Sequence, residues 1–191
     1  VEDTIPFGTQ RDVYAVGYEW INHSIVPRPK YDRPPRVRIG GPDCKQPYDA
    51  AVLNISAMSF GSLSKNAQLA LNMGAAKGGF FHNTGEGGVS PYHLEPGGDL
   101  CWQIGTGYFG CRADDGSFSE ELFTQTAAIP TVKLIELKLS QGAKPGKGGI
   151  LPASKITEEI ARIRNVPMGK DVISPSSHSS FDTPVGLLRF I

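Results

Sequence analysis

Short apolar runs alternate along this chain with stretches whose apolar positions recur every three to four residues, and the switches fall at glycine, serine or proline. The run Ala51 to Met58 (A-V-L-N-I-S-A-M) is β-branched and predicts a buried strand. Ser62 or Ser64 then caps a helix through Ala75, with Leu63, Ala67, Leu71 and Gly74 or Ala75 at helical spacing, and Gly78-Gly79 stops it. Phe80-Phe81-His82 predicts a short strand, and Trp102 with Ile104 another, with Tyr108-Phe109 in a turn or strand after it. Ser117 with Glu120 resembles a capping box opening a helix over Glu121 to Ala128. Val132, Leu134, Ile135, Leu137 and Leu139 predict a buried strand. Thr157 opens a helix whose Ile160 and Ile163 face one way and whose Arg162 and Arg164 face others, and it ends before Pro167. Asp171 to Ile173 predicts a last strand, and Asp182-Thr183-Pro184 starts a helix in which the chain stops at Ile191.

Strands alternating with helices predict a parallel sheet or barrel with its chemistry in the loops after the strands. A complete (β/α)8 TIM barrel takes roughly 250 residues, so the expected fold is the N-terminal part of such a barrel over residues 50–191. Residues 1–49 are expected to be an arm and connector, with the core beginning near residues 46–50. The arm mixes Pro6, Gly8 and aromatic residues without a period, and prolines at 27, 29, 34, 35, 42 and 47 favour an extended polyproline-like path.

Composition narrows the function classes. Nineteen basic and nineteen acidic side chains cancel, so bulk charge points to no nucleic-acid or anionic-membrane partner. No apolar run approaches the ~20 residues of a membrane span and no leader opens the chain, so a cytoplasmic setting is expected. Cys44, Cys101 and Cys111 are odd in number and without metal-ligand spacing, which favours buried free thiols and no metal site.

Chemistry concentrates after the Val132–Leu139 strand, where K-L-S-Q-G-A-K-P-G-K-G-G-I-L-P runs from Lys138 to Pro152. Glycines at 142, 146, 148 and 149 let main-chain N–H groups approach a ligand, and Lys144 and Lys147 add positive charge, so an anion is the natural guest. A surface turn with solvated lysines is the plain alternative. The phosphate-binding P-loop is excluded, because only three residues separate Gly142 from Gly146-Lys147 and no Ser or Thr follows. Gly105 to Gly110 (G-T-G-Y-F-G) matches a dinucleotide fingerprint in letters, but C-R-A-D-D-G after it is a turn where that fingerprint needs a helix.

Four segments in order, A-M-S-F-G-S-L-S (57–64), N-T-G-E-G-G (83–88), Q-G-A-K-P-G-K-G-G-I-L-P (141–152) and I-S-P (173–175), resemble the FMN-binding synthase domain of glutamate synthases, and most of all its stand-alone relatives. The resemblance implies a flavin barrel in which ammonia adds to 2-oxoglutarate and a hydride from FMN reduces the imine to L-glutamate. It implies Ala57, Met58 and Ser59 beside the flavin ring and Lys138 at its pyrimidine edge, where a cation stabilises the reduced ring. It implies Gln141, Lys144 and Arg164 at the oxoacid and Glu86 near the incoming ammonia as a base or orienting group. For Arg164 a solvated helix face is the equal alternative, and for Glu86 an exposed loop carboxylate. His178, after the last strand, is left outside the expected site.

Two departures bear on the substrate. The family's loop has glutamate where Lys147 stands and glutamine where Ile150 stands, which removes a polar contact and adds positive charge. The family's iron–sulfur cysteines would lie beyond Ile191, and no glutaminase nucleophile opens the chain, so ammonia, free or glutamine-derived, and electrons would come through other segments or a separate glutaminase or reductase subunit. The expectations are therefore a glutamate-synthase-type oxidoreductase, a related flavin barrel acting on an N-substituted glutamate or other imine, or a flavin-free scaffold.

Overall fold

The computed structural model describes residues 12–22, 24–141 and 146–191. The chain divides into two compact units, Val1–Pro34 and Pro35–Ile191. In the first, the described residues 12–34 form no helix or strand, only a turn in which the Ala15 N–H donates to the Asp12 carbonyl and the Tyr18 N–H to that of Ala15. The first eleven residues of the expected arm lie outside the described residues.

The second unit opens earlier than the expected boundary near residues 46–50. Strand β1 (Arg36–Ile39) pairs antiparallel with β2 (Tyr48–Ala51), from Arg36 opposite Ala51 to Ile39 opposite Tyr48. The stretch read as connector thus holds an exposed strand, in which Pro34 and Pro35 stand just before the ladder and Pro42 in the turn, where no N–H is needed.

Ala51 ends β2, and the expected strand onward to Met58 does not form; Val52 and Leu53 are exposed. The segment nonetheless runs parallel to β3 (His82–Asn83): the Ile55 N–H donates to the Phe81 carbonyl, Asn83 N–H to Ile55, and Met58 N–H to Asn83. The Asn54 side chain explains the broken ladder, since it turns back to the Ala51 carbonyl and accepts from the Phe81 N–H.

Helix α1 (Lys65–Gly78) is capped by Ser64, whose hydroxyl accepts from the Ala67 N–H, and ends on Gly79 in the left-handed region. Its fully buried positions are Gln68, Asn72 and the expected Ala75, while Ala67 and Leu71 are half-buried and Leu63 is exposed. The reason is visible at Asn72, which accepts from the Gly98 N–H at 2.9 Å and so satisfies the loop crossing above it. After the short helix α2 (Pro91–Leu94), strand β4 (Leu100–Ile104) is buried at every position, as a parallel strand covered on both faces should be.

Helix α3 (Glu120–Ala127) runs one residue ahead of the expected span, and its cap is Ser119 in place of the expected Ser117, whose hydroxyl donates to Asp115. Strand β5 (Val132–Leu137) pairs parallel with β4, which pairs parallel with β3, giving a three-stranded sheet in sequential order. Strand β6 (Ile150–Leu151) was not foreseen and pairs antiparallel with β7 (Val172–Ile173), so the last expected strand stands in its own two-stranded ribbon. Between them lie a 3-10 turn at Ala153–Lys155 and α4 (Glu158–Arg164), capped by Thr157; α5 (Pro184–Phe190) follows, capped by Thr183.

Two apolar clusters hold this mixed α/β unit. Trp102, Ile104, Tyr108 and Cys111 pack under α3, and Phe60, Leu151, Ile156, Ile160 and Ala161 join α4 to the loop after Met58. Gly105 to Gly110 opens no helix, as expected of a chance match. Cys101 and Cys111 are buried thiols, whereas Cys44 is exposed, contrary to expectation, because it sits in the β1–β2 turn. Among the described residues no helix is long and apolar enough to cross a membrane.

Candidate functional site

Parallel strands end on one side, and their last residues meet there. The β5 ladder delivers Lys138, whose N–H donates to the Ile104 carbonyl at the end of β4. The β3 end delivers Asn83 and, two turn residues on, Gly85 and Glu86. Gly85 has φ +65°, and a Cβ there would lie 2.7 Å from the Ser59 nitrogen, so only glycine lets the two loops approach.

Glu86, Lys138 and Gln141 form a closed cluster. Lys138 Nζ stands 3.2 Å from Glu86 Oε2 and donates to Gln141 Oε1 at 3.1 Å. Gln141 Nε2 donates to both Glu86 oxygens, at 2.9 and 2.8 Å. Glycines make the room: a Cβ on Gly105 would lie 3.0 Å from that of Glu86, and one on Gly149 would collide with Glu86 Oε1. The letters G-T-G-Y-F-G therefore have a packing role here, unrelated to dinucleotides.

A cavity of about 240 Å³ opens beside the cluster, and six of the expected site residues line it: Ala57, Met58, Ser59, Glu86, Lys138 and Gln141. Its size is below the ~300–1,000 Å³ of a full ligand pocket. Gln103 also lines it and was missed by the sequence reasoning, although a glutamine inside the apolar run L-C-W-Q-I was a usable signal. Gln103 Nε2 donates to Glu136 Oε2 at 2.5 Å, and Asn83 Nδ2 donates to the same oxygen at 2.9 Å. Gln103 Oε1 is buried and has no hydrogen-bond partner among the described residues.

Arg164 does not line this cavity. It is 5% exposed, which removes the solvated-face alternative. Its guanidinium donates to the Phe60 carbonyl at 3.0 Å and stands 5.1 Å from the Phe109 ring centroid. Burial lowers its pKa from the ordinary value and the Glu86 charge opposes that shift. Gly61 and Gly87 leave the space it fills, so it braces the loop after Met58 against the Glu86 loop from behind.

Lys144 lies outside the described residues. Lys147 and Gly148 border the other side of the Glu86–Gln141 cluster with Thr106 and Ser176, so the positive charge expected near the oxoacid is near the cluster. A Cβ on Gly148 would strike the Ser174 carbonyl, and the Ser174 N–H donates to the Gly149 carbonyl at 2.9 Å, so the I-S-P motif seats the described end of the glycine loop. Ile150 is 58% exposed and lines neither space. His178 is buried, with Nε2 2.9 Å from the Lys138 carbonyl and its ring stacked on Phe181, a packing residue under the β5 end. Among the described residues, no three His, Cys, Asp or Glu side chains converge as a metal site would require.

A family model described as "Conserved region in glutamate synthase" matches residues 44–191. The glutamate synthase large subunit-like protein YerD of Bacillus subtilis (strain 168) is 46% identical over 155 residues, which cover 80% of this chain and 29% of that protein. The archaeal glutamate synthase [NADPH] of Methanocaldococcus jannaschii is 42% identical over 125 residues, 65% of this chain and 22% of that protein. The archaeal-type glutamate synthase [NADPH] of Thermotoga maritima is 40% identical over 123 residues, with coverage of 64% and 22%. The chain thus spans less than a third of the length of these relatives. With the family model covering most of its length and the described motif residues gathered at one end of a parallel sheet, this chain belongs to the glutamate synthase family, within its conserved region.

Proposed function

We propose that this chain is the first part of the FMN-binding (β/α)8 barrel of a glutamate-synthase-type oxidoreductase, preceded by an N-terminal arm. The carrying observation is the meeting of Lys138, Glu86 and Gln141 with the Ala57–Ser59 segment around one cavity. The barrel reading is supported by three parallel strands in sequential order and by β5, an edge strand with Ile135 43% exposed, which offers a face for further strands.

The residues fit a flavin ring. Lys138 supplies a cation, the unpartnered Gln103 Oε1 an acceptor, and Ser59 a backbone N–H with no protein acceptor among the described residues. A bound flavin would supply the hydride that reduces an imine. Lys138 would hold the charge of the reduced ring, and Glu86 would orient ammonia as it adds to the carbonyl of 2-oxoglutarate with loss of water. Gln141 and Lys144 would bind the oxoacid, with Arg164 at its carboxylate or bracing that side of the site. An iron–sulfur cluster and the electron donor would belong to segments or subunits beyond these residues.

A second reading, a flavin barrel reducing another imine such as that of an N-substituted glutamate, is favoured by Lys147 beside the cluster. The visible spectrum of the purified full-length protein tests all three readings. A flavin spectrum that bleaches under anaerobic reductant and recovers on adding 2-oxoglutarate with ammonia supports the first. Recovery only with another oxoacid or amine supports the second, and no flavin leaves the scaffold reading.

A further inference from the structure

We propose that His93 is a positioning residue: its Nε2–H pins the Met58 carbonyl and thereby presents the Ser59 N–H to the cavity. In S-P-Y-H at residues 90–93, Ser90 caps a single helical turn and Pro91 opens it. His93 stands at the third helical position and its ring folds back on the cap. The Ser90 N–H donates to His93 Nδ1 at 3.1 Å. A backbone N–H only donates, so Nδ1 carries no proton and the neutral ring carries it on Nε2. The Ser90 hydroxyl, 2.8 Å from Nδ1, gives the same assignment when it donates. Nε2 lies 3.2 Å from the Met58 carbonyl oxygen, which only accepts, so both ring nitrogens have a partner of the right sense.

Met58 is thereby held on both sides, since its own N–H donates to the Asn83 carbonyl at 3.2 Å. The peptide that follows is trans, which sets the Ser59 N–H antiparallel to the pinned Met58 carbonyl and on the opposite side from His93. Gly85 packs against this peptide, where a Cβ would lie 2.7 Å from the Ser59 nitrogen, and both residues line the cavity. Ser59 N–H donates to no acceptor among the described residues, so it is available to a guest. His93 is fully buried, packs on the equally buried His82 ring with centroids 5.2 Å apart, and lines no part of the cavity. It acts through the backbone. The inference rests on the flavin reading for the identity of the guest, a planar ring with an acceptor at its edge.

The test uses the full-length protein. His93→Phe keeps a ring of similar shape and removes the donor, whereas His93→Gln keeps a side-chain N–H of similar reach. His93→Phe is expected to weaken flavin binding about 3- to 10-fold, the range of one lost neutral hydrogen bond, and to shift the flavin absorption maximum and reduction potential, with His93→Gln restoring most of each. Wild-type affinity, spectrum and potential in His93→Phe overturn the proposal while leaving the flavin reading intact. If His93→Phe does not fold, ring nitrogen chemical shifts of 15N-histidine-labelled wild-type protein decide: the Nε2–H tautomer supports the assignment, and an Nδ1–H tautomer or a charged ring at pH 7 overturns it. If the wild-type protein binds no flavin, the functional reading fails, and the tautomer still decides the placement of His93.

Discussion

Acid should destabilise this unit through His82 and His93. Both rings are fully buried and in contact. Burial, aided by the neighbouring His93, lowers the His82 pKa from 6.5 to about 4. Burial also lowers His93 to about 4, against the opposing effect of its Met58 hydrogen bond. These are bases whose folded-state pKa lies below the unfolded value, so the unfolded chain binds more protons between pH 6.5 and 4, and stability falls as pH falls through that window. The neutral-state stability is fully present above pH 6.5 and lost below 4. At about 1.4 kcal/mol per pKa unit, each histidine contributes up to roughly 3 kcal/mol of this loss. The second proton must enter beside the first, and at His93 it would set an N–H against the Ser90 N–H. A total loss of roughly 3–6 kcal/mol is large against a typical stability of ~5–15 kcal/mol. Urea unfolding of the full-length protein from pH 7.5 to 4, followed by fluorescence, measures it. The wild-type slope between pH 6 and 4.5 should exceed that of His82→Leu/His93→Gln by about one to two protons. Equal slopes would refute the reasoning, for then neither ring is held neutral by burial.

Other perturbations test the site. Lys138→Met should lower the flavin reduction potential, because it removes the cation paired with Glu86 at 3.2 Å; redox titration with circular dichroism as a folding control checks it. Gly85→Ala should cost roughly 2–4 kcal/mol or weaken ligand binding, since alanine there combines a left-handed backbone with a Cβ 2.7 Å from the Ser59 nitrogen; unfolding midpoints and flavin titration read both. Lys144→Ala should weaken a saturating oxoacid by about one to two powers of ten, the range of a charge-assisted contact. Ile150→Gln should tighten 2-oxoglutarate if the glycine loop is its clamp; steady-state kinetics with an unchanged apparent affinity in both variants would remove the loop from the substrate site.

What could be read along the chain was local. Ser64, Thr157 and Thr183 cap helices because a hydroxyl before a helical run meets unpaired N–H groups within three residues, a relation that needs no distant contact. The β5 run was legible for the same reason, and the four motifs led to the family and to six residues that line one cavity. Folding decided whatever depends on which distant segments meet. Gln68 and Asn72 became fully buried positions of α1 because the Gly98 loop crosses there, and the run from Val52 to Met58 lost its strand to the side chain of Asn54. Ile150–Leu151 became a strand only because Val172–Ile173 arrived to pair with it. Arg164, whose spacing on α4 allowed a solvated face, was enclosed by two glycines from separate loops and a phenylalanine ring. The partnership of Glu86, Lys138 and Gln141 is of the same kind: residue types announce charge and hydrogen-bonding capacity, but only the parallel pairing of β3, β4 and β5 carries their loops to one end and brings those groups to 2.8–3.2 Å from one another.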